Sequence, residues 1–192
     1  MQLVFATGNR NKVSEVQQLI GDKFKLLGLN DINCDVDIPE TSGSFAGNAL
    51  QKAKYVYDHY DLNCFADDSG LEVEALGGAP GVDSAYYAGP QKNDADNLQK
   101  LLNDLDGNSN RKARFKTVIA LMMDGKEYFF EGVINGRITL QPFGSGGFGY
   151  DPVFVPEGYD KTFAQMSIDE KNRISHRAIA TQKLIQFLNS IA

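Results

Sequence analysis

Apolar and polar positions follow two rhythms along this chain, and the rhythm switches at glycine and asparagine. Gln2 to Thr7 is a short, mostly apolar run that opens into Gly8-Asn9, as expected of a buried strand entering a turn. Val13, Val16, Leu19 and Ile20 then recur at helical spacing, and Gly21 fits the end of that helix. Phe24 to Leu29 suits the next strand. The helical rhythm returns from about Ser44 to Tyr60, with Ala49, Ala53, Val56, Tyr57 and Tyr60 on one face. Cys64 to Ala66 is a short strand that delivers Asp67-Asp68-Ser69-Gly70 into a turn.

The second half repeats the pattern with longer strands. Leu76 to Gly89, rich in Gly, Ala and Tyr, is expected to be an irregular loop. Asn93 or Asp94 is placed to cap a helix carrying Leu98, Leu101, Leu102 and Leu105, which stops near Gly107. Arg114 to Met123 and Glu127 to Ile134 read as two strands joined by Asp124-Gly125, a strong hairpin signal. Gly144 to Gly149 is a glycine-rich loop, and Ser175 is placed to cap a last helix with Ala178, Thr181, Ile185 and Leu188 on one face. Strands alternating with helices, then a hairpin, then a helix, predict an α/β fold with a mixed sheet whose parallel part is covered on both faces. No repeat or linker interrupts the 192 residues, so one domain, residues 1–192, is expected.

Charge narrows the function. The formal net charge is −6, which gives no general attraction for a nucleic-acid backbone, so a phosphate-bearing ligand needs local cations or a metal. The longest apolar runs, such as Val118 to Met123, are too short to span a membrane, and the first residues lack a basic region followed by a long apolar stretch. A cytoplasmic protein with no membrane partner is expected. Cys34 and Cys64 are the only cysteines, and with two histidines in the chain a soft-ligand zinc site is disfavoured; two reduced thiols are expected.

Four segments carry candidate chemistry. Thr7-Gly8-Asn9-Arg10-Asn11-Lys12 lies between a strand and a helix, where backbone N–H groups and the helix dipole favour an anion; the plain alternative is a turn capped by Asn9. It is not a Walker A loop, which needs a second glycine before its lysine. Asp67-Asp68 places two carboxylates side by side. With Glu40 from the Pro39–Gly43 loop they offer oxygen ligands of the kind magnesium takes, or else Asp68 closes a turn on Ser69-Gly70. Gly144 to Pro152 contains a G-x-G-x-x-G pattern, but Pro142 before it and Asp151-Pro152 after it argue against the strand and helix of a dinucleotide fold. The segment instead presents Phe148 and Tyr150, either to a base or to the core. Lys171 with Ser175-His176-Arg177 is a cationic set near a helix start, either for a ligand or for solvent. His59, among Asp58, Tyr60 and Asp61, is expected to be structural or solvated. No Ser-His-Asp or Cys-His set stands out, so metal-assisted attack by water fits better than a protein nucleophile.

These segments together resemble the inosine triphosphate pyrophosphatase family, the noncanonical purine nucleoside triphosphate pyrophosphatases. The matching text is Thr-Gly-Asn-x-x-Lys at Thr7 to Lys12, Pro39-Glu40-Thr41, Asn48-Ala49-x-x-Lys52-Ala53, Ala66 to Gly70, Leu76 to Gly81, Gly146 to Pro152, and Glu170-Lys171 with Ser175-His176-Arg177, in family order over nearly the whole chain. The resemblance implies two lobes around a long mixed central sheet flanked by helices, an active-site cleft between the lobes, and a homodimer. It further implies that Thr7 to Lys12 and Lys52 hold the triphosphate and that Ser69 contacts substrate. Phe148, Gly149, Tyr150, Asp151, Lys171, His176 and Arg177 would hold base and sugar. Glu40 and Asp68 would bind magnesium, for which manganese is a possible substitute, and Asp68 would accept a proton from the attacking water. A pyrophosphatase for pyrimidine or modified nucleotides, and a silent nucleotide sensor, are the competing readings. Ser175-His176-Arg177 with Phe148 to Asp151 favours purines over the first, and the intact Glu40 and Asp67-Asp68 argue against the second.

Overall fold

The computed structural model describes residues 2–191; residues 1 and 192, the ends of the expected domain, lie outside them. In chain order the elements are β1 (Gln2–Phe5), α1 (Arg10–Ile20), β2 (Lys25–Leu27), α2 (Phe45–Tyr60), β3 (Cys64–Val73), α3 (Asp94–Asp104), β4 (Lys112–Met123), β5 (Lys126–Ile138), β6 (Phe154–Pro156), α4 (Ile168–Ile174) and α5 (His176–Ile191). The strands hydrogen-bond in the order β2-β1-β3-β4-β5-β6. β1 runs parallel to β2 and β3, whereas β5 and β6 are antiparallel, so the sheet is mixed as expected.

Local chemistry sets the boundaries. The Asn9 side chain accepts from the Asn11 and Lys12 amides and starts α1, Ser44 caps α2 through the Gly47 amide, and Asn93 caps α3 through the Asp96 amide. Asp124 and Gly125 have φ of 51° and 76°, the two left-handed residues that a tight hairpin turn between β4 and β5 requires.

The chain forms two compact units. The first comprises residues 2–68, 117–132 and 177–191. Its inner strands, β1, β3 and β4, are buried on both faces, and the two-residue period sorts their side chains cleanly. Leu3, Phe5, Phe65, Ile119, Leu121 and Met123 join Val16 and Ile20 of α1 and Ala180, Leu184 and Leu188 of α5. Val4, Ala6, Cys64, Ala66, Ala120 and Met122 instead join Ala49, Ala53 and Val56 of α2. Cys34 and Cys64 are both buried free thiols in this second layer, matching expectation. His59 is exposed, donates from Nδ1 to the Tyr55 carbonyl, and stacks on the Tyr55 ring.

The second unit comprises residues 69–116 and 133–176. Its core gathers Leu71, Val73, Ala113, Phe115 and Ile138 with Leu101 of α3, Leu105 directly after it, and Phe154, Phe163 and Met166. The alternate strand positions carry charge, as in the Arg114–Glu72 ion pair at 2.5 Å. Among the described residues no helix is long and apolar enough to cross a membrane.

Three sequence expectations change. β3 does not stop at Ala66; it runs on through Asp67, Asp68, Ser69 and Gly70 to Val73, because both carboxylates find protein partners and need no solvated turn. The segment from Leu76 to Gly89 is partly ordered, with a helical turn of the tighter type over Gly81–Tyr86. Ser175 closes α4 rather than only opening α5, its amide bonding the Lys171 carbonyl.

Candidate active site

In the first unit, Asp67 and Asp68 leave β3 on opposite faces. Asp67 follows Phe65 toward α1 and α5. Its Oδ1 lies 3.0 Å from the Lys12 ammonium, and its Oδ2 accepts from Arg177 Nε at 3.3 Å. Arg177 also donates through Nη1 to Glu15 at 2.5 Å, and all three of Asp67, Arg177 and Glu15 are buried. Burial works against the charged form of Asp67, but Lys12, Arg177 and Lys52 together outweigh it and hold its carboxyl well below the usual carboxylate range. Burial pulls the Lys12 ammonium down from its ordinary value, with Asp67 opposing. For Arg177, Asp67 and Glu15 overcome burial and strengthen the guanidinium charge.

Asp68 follows Ala66 toward α2, where Asn48 donates to its Oδ2 at 3.1 Å. Asn48 is itself held by the Ser42 amide and hydroxyl, each 3.0 Å from its side-chain oxygen. The Asp68 carboxyl is pushed up to about 6, first by burial and then by the nearby Glu40 charge, against Lys52 and the Asn48 bond. Two consecutive carboxylates thus diverge: one is locked as an anion, the other is poised near neutral pH.

Lys52 of α2 ties the two halves of this site together. Its ammonium donates to the Asp67 carbonyl at 2.7 Å and to Glu40 Oε2 at 2.9 Å. Glu40 and Asp68 supply only hard oxygen donors. Among the described residues no group of three or more His, Cys, Asp or Glu side chains is arranged to hold a metal. Two carboxylates nevertheless fit magnesium, which takes one or two from the protein and completes its shell with water and substrate phosphates.

At the start of α1, Thr7 accepts the Asn9 amide at 3.2 Å and Asn9 serves as the cap, while Arg10 and Asn11 are exposed. Gly8 is exposed, its φ lies outside the left-handed region, and a Cβ built on it would meet nothing within 4 Å. Neither packing nor backbone conformation asks for glycine there. What it leaves is an open approach to the backbone, of the kind an anion can use.

In the second unit, Lys171 of α4 makes a buried ion pair with Asp151 at 2.7 Å and sits 4.7 Å from the centre of the Phe148 ring. Asp151 Oδ2 also accepts the Phe148 amide at 3.0 Å. Gly147, with φ of 69°, has no room for a side chain, because a Cβ there would overlap the Asp151 carboxylate. Phe148 is half-buried, but Tyr150 is in the core and donates its hydroxyl to the Ser84 carbonyl at 2.6 Å. Gly149 is half-buried and its amide bonds Asp94. His176 is buried and stacks on Phe115, with ring centres 4.6 Å apart and planes 10° from parallel. Ser69 is half-buried, next to Asp68 along β3.

The structure therefore groups Thr7 to Lys12, Glu40, Lys52, Asp68 and Arg177 in one unit, and Phe148 to Asp151, Lys171 and His176 in the other. Glu15 was not singled out from the sequence. Its signal was its place three residues after Lys12, on the same side of α1.

Residues 3–187 match the model of the Ham1 family. The chain belongs to that family. This Ham1 family member is 54% identical over 190 residues to a dITP/XTP pyrophosphatase of Flavobacterium psychrophilum, covering 99% of this chain and 100% of that one. It is 52% identical over 188 residues to a dITP/XTP pyrophosphatase of Porphyromonas gingivalis, covering 97% of each. Among solved structures, the Ham1 protein of Staphylococcus aureus superposes with a TM-score of 0.91 at 38% identity, over all of both chains. A Ham1 protein from Coxiella burnetii gives the same TM-score and identity over 99% of each chain.

Proposed function

We propose that this chain is a magnesium-dependent nucleoside triphosphate pyrophosphatase. It hydrolyses non-standard purine nucleoside triphosphates, namely dITP, ITP and XTP, to the monophosphate and pyrophosphate. The relatives named dITP/XTP pyrophosphatase support the substrate class. The observation that carries the mechanism is the split between Asp67 and Asp68. A carboxyl raised to about 6 is a competent proton acceptor near neutral pH, and it stands beside two lysines suited to phosphate oxygens.

In this mechanism Lys12, Lys52 and the Thr7–Asn9 backbone bind the triphosphate. Asp68 orients a water toward the α-phosphorus and takes its proton as the P–O bond to pyrophosphate breaks. Asp67 keeps Lys12 and Arg177 in place and stays ionised throughout. Glu40 and Asp68 would hold magnesium, which when bound neutralises phosphate charge that a protein of net charge −6 would otherwise repel. Phe148 stacks on the base. Lys171, Asp151, Tyr150, Gly149, His176, Arg177 and Ser69 shape the site for base and sugar. Donors at His176 and Arg177 suit a 6-oxo purine and oppose the amino group of adenine. The enzyme acts in the cytoplasm as a homodimer to which the segment from Leu76 to Gly89 contributes surface, with Tyr86 exposed and Tyr87 half-buried, and with neither nucleic acid nor membrane as partner.

Pyrophosphate release from ITP, XTP, dITP, GTP, ATP and the pyrimidine triphosphates, with and without magnesium, tests this. The expected order is ITP, dITP and XTP first, GTP well behind, ATP and pyrimidines last, and little release without the metal. Equal rates on ATP and ITP, or full activity in a chelator, would overturn it.

A further inference from the structure

We propose that Asp94, the first residue of α3, is a positioning residue that fixes the Phe148 ring for the substrate base. The inference rests on the assignment of Phe148 to base stacking. Asp94 Oδ2 accepts the Gly149 amide at 2.8 Å across 55 residues of sequence. That amide belongs to the peptide plane directly after Phe148. The plane directly before Phe148 ends in the Phe148 amide, which Asp151 accepts at 3.0 Å. Both planes flanking Phe148 are therefore held by carboxylates, and together they set the direction in which its side chain leaves the backbone.

The two clamps are not equivalent. Asp151 sits in the same loop and is itself held by Lys171 at 2.7 Å. Asp94 belongs to a helix anchored by Leu101 and by the capping Leu105 at its end, both fully buried in the core of the unit, and its start is fixed by the Asn93 cap. It ties a mobile-by-composition loop to a rigid element. The loop needs that tie at this point. Gly149 has φ of 61°, and glycine crosses to negative φ at little cost, which would turn the 148–149 peptide and the ring with it. Tyr150, one residue on, is anchored separately through its hydroxyl on the Ser84 carbonyl, so rotation would be confined to the segment carrying Phe148.

A purely structural role predicts something different. An acidic residue in the first turn stabilises a helix through its dipole, whatever it bonds. Asp96 lies in the same first turn, accepts from Gln91 at 3.2 Å, and has no bond to the loop, so it serves as the control.

The test is steady-state hydrolysis of ITP by the full chain, with melting temperatures measured alongside. Asp94→Ala should raise KM by about three- to tenfold, the scale of one lost hydrogen bond, with kcat changed by less than about twofold. Asp94→Asn, whose amide oxygen still accepts from Gly149, should restore most of the wild-type KM. Asp96→Ala should lower the melting temperature as much as Asp94→Ala and leave KM unchanged. Phe148→Ala should raise KM, and adding Asp94→Ala to it should raise KM no further, because the residue being positioned is gone. A wild-type KM in Asp94→Ala while Phe148→Ala is impaired would overturn the role of Asp94 alone. Additive effects in the double variant would do the same. An unchanged KM in Phe148→Ala would remove the base-stacking assignment and the inference with it.

Discussion

Asp67 and Asp68 are neighbours in β3, yet Asp67 bonds Lys12 and Arg177 on one side of the strand while Asp68 meets Asn48 on the other. The two-residue period of a strand converts an apparent clash of carboxylates into a division of labour. It also gives their substitutions opposite signatures. Asp68→Asn should fold with near-native stability and lose turnover by about 10²-fold or more, the scale of a positioned base. Asp67→Asn should be destabilised by about 3–5 kcal/mol, because it strips a buried partner from Lys12 and Arg177. Urea unfolding and saturating ITP kinetics on both variants check the pair; a stable, active Asp67→Asn would refute the structural half.

Gly8→Ala separates the demands of a ligand from those of the fold. With open space around a Cβ there, the unfolding midpoint should move little or rise slightly. Affinity for the triphosphate should fall by about tenfold or more, as a methyl group intrudes where phosphate oxygens approach the backbone. The measurement is KM for ITP beside a denaturation curve. A large loss of stability with unchanged KM would assign Gly8 to packing instead.

Lys12 is assigned to the phosphates, whichever base is attached. Lys12→Ala should therefore weaken kcat/KM for ITP and XTP by about the same factor, roughly 10² for a lost charge-assisted contact to phosphate. A variant whose preference between ITP and XTP shifted would contradict that assignment.

Glu170 offers a pH test read from stability rather than turnover. Its carboxylate accepts from Lys161 and from the Ser167 amide, which lowers it to about 2 in the folded protein. A depressed carboxyl contributes stability in full above its unfolded value of about 4.3, and loses it as pH falls toward the folded value. The melting-temperature gap between the wild type and Glu170→Gln should thus be widest above pH 5 and close between about pH 4 and 2. The group is solvent-exposed, so the gap should be small and shrink further in salt. A gap that widened on acidification would have the wrong sign.

Much of the fold was legible because its signals are periodic. The α1 and α2 faces, the start of α2 near Ser44, the Asn93 cap and the Asp124-Gly125 hairpin stand where the sequence puts them. β3 was cut short because Asp-Asp-Ser-Gly has the composition of a turn, and only long-range cations such as Lys12 and Arg177 make it tolerable inside a strand. α4 was missed for a different reason. It has seven residues, and its buried ones are Lys171 and Asn172, so no apolar stripe marks it. β6, three residues long, carries no period to count. Within the candidate site, residue types announced the carboxylates and the lysines. Which of two adjacent aspartates would be held as the anion and which raised toward neutral pH depended on partners drawn from α1, α2 and α5, and Glu15 entered only through the buried guanidinium it faces.

The loop before Phe148 limits how this protein could be remade. A Cβ on Gly144 or Gly146 would press into the Ala164 backbone, at 2.6 Å and 2.9 Å from its nearest atom, and Gly147 abuts Asp151. Libraries that randomise this segment in search of altered base choice would be dominated by chains with a displaced loop. Phe148, half-buried with the Lys171 ammonium 4.7 Å from its ring centre, already carries a side chain, so exchanging it does not fill the space that a glycine leaves to backbone.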